Sequence, residues 1–198
     1  MEPLKTLLLT ALILFGLFDV NAQELTYENF KSLIPHLKKE DWKSSFTASG
    51  KLLDSAKGDT SDFHAIIVYI NIFSAAGMVT EGQMTFEELQ KNVIPFQGQK
   101  IIMAGHPVTT KDGGLNQVKF EFDEKPNTAF TSAANAKGSN ILCFEEFVFA
   151  SPIKRKKFPE KSMVRCGGTL EKIETNPNES LIWILRLTVT DAFARQMN

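Results

Sequence analysis

Histidine is scarce in this chain and poorly placed for metal. His36, His64 and His106 are the only three, and none lies at an H-x-x-x-H or H-x-x-E-H spacing. A zinc site would need ligands gathered from distant segments. No G-x-S-x-G exists for a serine nucleophile, and no G-x-x-x-x-G-K-[ST] for a phosphate cradle. The only cysteines, Cys143 and Cys166, have no C-x-x-C spacing, which removes the local device that lowers a thiol pKa. Charge of one sign is also lacking. The formal net charge is −1, and removal of a leader containing Glu2, Lys5 and Asp19 would leave 21 charges of each sign. A dedicated nucleic-acid binder usually shows a basic excess. No cofactor is expected from these patterns.

What is present begins with the N-terminus. Lys5 precedes an apolar run from Leu7 to Phe18, and Val20-Asn21-Ala22 follows with small or modest side chains. This is the order of a secretory signal peptide, and the run is short of the roughly 20 residues that span a bilayer. The expected organisation is a leader at 1–22, a helical region at 23–95 and a β-domain at 96–198. The expected location is periplasmic or secreted. After the leader, Ala65 to Ala76 is the most apolar stretch; it includes Asn71 and Ser74 and reads as too short to cross a membrane.

Residues 25 to 94 have helical periodicity. Thr26 can cap a first helix whose apolar face is Tyr27, Phe30, Leu33, Ile34 and Leu37, with Pro35 expected to kink or shorten it. A second helix starts near Lys39 and aligns Trp42, Phe46 and Leu53. Asp62 to Ala76 is apolar nearly all round and is expected as a buried helix ended by Gly77. Thr85-Phe-Glu-Glu88 is a capping box for a fourth helix that Pro95 ends.

From residue 99 the period changes to that of strands. Lys100 to Thr110 reads as one strand bent at Gly105, joined by a hairpin turn at residues 111–114 to Asn116–Asp123, where Val118, Phe120 and Phe122 alternate with charges. Residues 124–139 read as loop. Asn140–Ala150, Met163–Thr175 (interrupted at Gly167-Gly168) and Leu181–Thr190 complete five strands. The fold class expected is therefore α+β: a helical N-terminal part followed by a five-stranded, OB-like antiparallel β-barrel.

Two segments resemble a known family. Phe96-Gln-Gly-Gln-Lys-Ile-Ile-Met-Ala-Gly105 and Met163-Val-Arg-Cys-Gly-Gly-Thr-Leu170 look like barrel strands of exported bacterial proteins of the DUF3299 type. The Cys-His segment of those proteins has no counterpart around Lys125-Pro126-Asn127-Thr128, so a function tied to it does not transfer. The Val-Asn-Ala-Gln-Glu end of the leader resembles exported proteins of Bacteroidota, which implies a bacterial envelope.

Candidate site residues are few. Lys154, Arg155, Lys156 and Lys157 form a basic loop that could meet a polyanion. His106 precedes Pro107 beside the Gly105 bend. Cys143 and Cys166 are either a disulfide or small core residues. Glu145-Glu146 point to opposite faces of a strand, so they do not make a matched acid and base, and solvated charges are expected there. The functional expectation is a non-enzymatic binding or assembly protein of the envelope, with an unidentified protein or small ligand as partner. The alternative is an enzyme or redox protein using His106 or Cys143/Cys166. The leader makes the first testable statement: N-terminal sequencing of the exported protein should begin at Gln23. A chain retained in membranes and starting at Met1 would contradict it.

Overall fold

The computed structural model describes residues 24–122, 127–154 and 157–197. The leader, Arg155 and Lys156 lie outside the described residues. Four helices come first: α1 (Tyr27–Lys38), α2 (Trp42–Ser55), α3 (Asp62–Thr80) and α4 (Phe86–Val93), with a 3-10 turn at Ile94–Phe96. Helix α1 runs through Pro35 to Lys38 rather than stopping there. Helix α2 starts three residues later than Lys39, because Asp41 accepts the Ser44 N–H at 3.2 Å and caps it. Ser61 caps α3 through the His64 N–H, and the Thr85–Glu88 box on α4 closes in both directions at 3.1 and 2.8 Å.

Helix α3 is the centre of the molecule. Val68, Tyr69, Ile72, Ala75, Ala76 and Val79 pack with the strand core, while Ala65, Ile66, Ile67 and Ile70 pack with Leu25, Leu33 and Ala56. Its 19 residues reach the length and hydropathy of a membrane span, and 78% of that window is buried inside the fold. Each Ile or Val hidden there contributes about 1.5–3 kcal/mol. Gly77 does not end the helix as expected; α3 continues to Thr80. The reason is the neighbouring indole. A Cβ on Gly77 would lie 2.3 Å from Trp42 Cδ2, so the glycine leaves α3 room for the Trp42 ring of α2.

Seven strands follow: β1 (Lys100–Ile102), β2 (His106–Thr109), β3 (Val118–Glu121), β4 (Thr128–Ala134), β5 (Ile141–Val148), β6 (Met163–Thr175) and β7 (Trp183–Gln196). The expected five strands become seven at two places, and the expected interruption at Gly167-Gly168 is corrected as a third point. The first strand divides at the Ala104–Gly105 bend. Strand β4 occupies part of the segment read as loop. Its inward residues are Ala129, Thr131 and Ala133, too small and mixed to give a hydrophobic signal. Strand β6 runs unbroken through Gly167-Gly168. A Cβ at Gly167 would meet the Ile101 carbonyl at 2.6 Å, and one at Gly168 the Thr190 carbonyl at 2.5 Å. These glycines let β1 and β7 press against β6 rather than interrupting it.

The order is β1-β6-β2-β3-β4-β5-β7, with a further antiparallel pairing between β6 and β7. The pairings from β6 through β2, β3, β4, β5 and β7 therefore return to β6. Strands β2 and β3 pair in parallel, Val108 with Val118 and Thr109 with Lys119, so the turn at 111–114 does not form the expected hairpin. Helix α3 lies against β1, β5 and β7 and joins the helical and strand parts in one core.

The contact at Gly77 yields a stability test. In an ordinary helix Gly→Ala gains about 1 kcal/mol. Here the methyl must displace a buried ring, and overpacking of this kind costs about 1–3 kcal/mol. Gly77→Ala should therefore destabilise in denaturant titration. A gain in stability would mean that Trp42 does not occupy that contact.

Candidate functional site

A cavity of about 380 Å³ opens between the helices and the strands. Phe30 and Leu37 of α1, Trp42 of α2, and Ile66, Tyr69, Ile70 and Phe73 of α3 form an apolar wall. Trp42 and Phe73 meet edge to face with centroids 5.7 Å apart, and Tyr69 stacks on Phe73 at 5.8 Å. Met103, the Ala104–Gly105 bend, His106, Ala133, Ala134 and Arg165 supply the strand side, with Asn116 beside them. The bend between β1 and β2 delivers His106 here, as irregular strand segments often re-aim side chains.

Two polar atoms in this lining are buried without a hydrogen-bond partner: His106 Nε2 and Arg165 Nε. Burial lowers the His106 pKa to about 4, so its imidazole is neutral at physiological pH. Arg165 makes no ion pair among the described residues. Unpaired buried polar atoms of this kind cost about 1–3 kcal/mol each, and they are uncommon in native interiors.

A second polar group lies deeper. Glu145 is 2% exposed and not solvated as expected. Thr131 Oγ1 on β4 donates to its Oε2, and the Tyr69 hydroxyl acts on the same carboxylate from α3. Desolvation dominates and raises the Glu145 pKa to about 7. Sequence alternation held the signal: Cys143, Glu145 and Phe147 share one face of β5, and the two neighbours are buried. The charge alone argued for the opposite face.

The other candidates disperse. Cys143 and Cys166 are both buried free thiols. Burial, followed by the nearby Glu145, pushes both thiol pKa values up. Thiols held protonated in this way are poor nucleophiles. Lys154 and Lys157 line a separate, more open depression with Phe149, Ile153, Phe158 and Phe193, and Lys157 Nζ lies 5.4 Å over the Phe158 ring. His106 is not part of that surface. A large groove beside α2 holds His64, Asp59 and Asn71, but its buried polar groups are satisfied: Asn71 donates to the Phe46 carbonyl at 3.0 Å and to Ser49 Oγ at 2.9 Å. Arg165 escaped the sequence reading because a charge between Val164 and Cys166 reads as a solvent-facing strand position. Among the described residues, no three His, Cys, Asp or Glu side chains cluster as metal ligands.

Comparisons with protein-family models, curated proteins and solved structures found no match to this chain.

His106 and Glu145 make opposite contributions to stability. The folded-state pKa of His106 lies below its ordinary value of 6.5, so its contribution is present at higher pH and is lost as pH falls from about 6.5 towards 4. The folded-state pKa of Glu145 lies above its ordinary 4.5, so its contribution is present at low pH and is lost as pH rises from 4.5 through about 7. The Glu145 effect amounts to about 3 kcal/mol. In the wild type the two slopes offset one another over much of pH 5–6.5. Glu145→Gln should expose a stability that rises with pH in this window, and His106→Gln one that falls. Urea titrations from pH 5 to 8 would check this. Parallel slopes in the two variants would contradict the assigned burial.

Proposed function

We propose that this chain is an exported, non-enzymatic binding protein of the bacterial envelope, and that the cavity between the helices and the strands is its ligand site. The observation that carries this reading is the pairing of a partly open, largely apolar cavity with two buried polar atoms that have no partner among the described residues. Such a lining fits a small, mainly apolar ligand whose orientation a few polar contacts fix. The cavity equals about a dozen volumes of 30 Å³, the share of one water in the liquid, and so suits a ligand of roughly a dozen heavy atoms.

An OB-like barrel is the proposed architecture of the strand part, with one strand more in its ring than the usual five. Three pairings support it: β6 with β1 antiparallel, β6 with β7 antiparallel, and β5 with β7 parallel. With β1 and β2 counted as one bent strand, the ring holds six strands against the five of an OB-fold. Binding is favoured over redox chemistry because the thiols are buried and held protonated, away from the cavity lining.

The test uses the mature protein with Trp183→Phe, so that Trp42 in the cavity wall is the only tryptophan. Naphthalene should perturb Trp42 fluorescence saturably. Ala104 is exposed at the cavity edge, so Ala104→Phe should narrow the entrance without loss of stability. It should weaken binding by about tenfold or more. No saturable change, or equal binding by both proteins, would overturn this assignment.

A further inference from the structure

We infer that the cavity selects an amphipathic monocarboxylate, with Arg165 as the headgroup contact and the α1–α3 wall around the tail. This inference rests on the binding-site reading above and adds the chemical class. Its starting point is the cross-strand pair Arg165–Arg195, two like charges directly opposed on β6 and β7. Such a pair is unfavourable unless anions are supplied. Asp62 supplies one. It accepts from Arg195 Nη1 and Lys100 Nζ, at 2.8 and 2.7 Å, and so holds two cations with one carboxylate. Arg165 receives none among the described residues, and its buried Nε is unpartnered. The field on this face therefore favours an incoming anion.

The headgroup follows from the groups available. A guanidinium presents planar, paired donors that match a carboxylate. The neighbouring His106 is neutral, so its Nε2 can supply a hydrogen bond but no second charge. One unpaired cation with a neutral helper suits a single negative charge better than a doubly charged phosphate monoester. The tail follows from Phe30, Leu37, Trp42, Ile66, Ile70 and Phe73, which offer apolar surface and no charge. With room for about a dozen heavy atoms, a ten-carbon saturated acid matches the volume.

Calorimetric titration of the mature protein with decanoate and with decan-1-ol, both below their aggregation limits at pH 8, tests the assignment. Wild type should bind decanoate about tenfold or more tightly than the alcohol. Arg165→Gln should remove that preference while leaving decan-1-ol binding unchanged, and Arg165→Lys should retain part of it. Circular dichroism confirms that each variant is folded, and the wild-type preference is decisive even where a variant is not. Equal affinity for acid and alcohol in wild type, or an undiminished preference in Arg165→Gln, would overturn the headgroup assignment and leave the apolar site standing. Binding of neither compound, with naphthalene also inert, would overturn both.

Discussion

The burial of α3 on nearly all sides is the constraint on which the rest of this structure depends. A helix with Ile66, Ile67, Val68, Ile70 and Ile72 in close succession has no polar face to offer solvent. It needs neighbours around its whole circumference. Helices α1 and α2 provide one half and the strands the other. The helical part and the strand part are thus two sides of one core. The same placement sets the chemistry. Tyr69 reaches Glu145 from one turn of α3, while Ile66, Ile70 and Phe73 wall the cavity from others.

The polar groups held against this core are costly, and the cost is informative. Glu145 has a donor in Thr131 and a second polar neighbour in Tyr69, which offset part of its desolvation. It reads as an internal link among α3, β4 and β5. His106 and Arg165 differ in place: like Glu145 Oε1, their buried nitrogens have no hydrogen-bond partner among the described residues, but they line the cavity. Stability alone would favour replacing both by apolar side chains. Their position in the lining of a partly open cavity gives that cost a use, which is recognition of a ligand group.

Much of the helical part was legible in the sequence. Capping residues and 3.6-residue periodicity are local, and they located all four helices. The misreading at Gly77 has a tertiary cause, since its role is contact with Trp42 from another helix. Strand legibility depended on side-chain size. Val118 and Phe120 announced β3, whereas the buried positions of β4 hold small residues and left no hydrophobic pattern. The parallel β2–β3 pairing was also hidden, because strand direction depends on the path of residues 110–117 and not on alternation. For the site, His106 was visible through its bend. Arg165 was not, because helices cover a strand face that in isolation would meet water. The function of such a face is decided by what packs on it, and that information is non-local.

The claim that one core unites helices and strands is tested most directly by the two tryptophans, which report on different parts. Trp42 sits on α2 and Trp183 on β7. In Trp183→Phe, the fluorescence of Trp42 follows the helices; in Trp42→Phe, that of Trp183 follows the strands. Within each variant, denaturant unfolding by fluorescence should coincide with unfolding by far-ultraviolet circular dichroism, as a single cooperative transition requires. Separate midpoints, with helices and strands melting independently, would contradict the account.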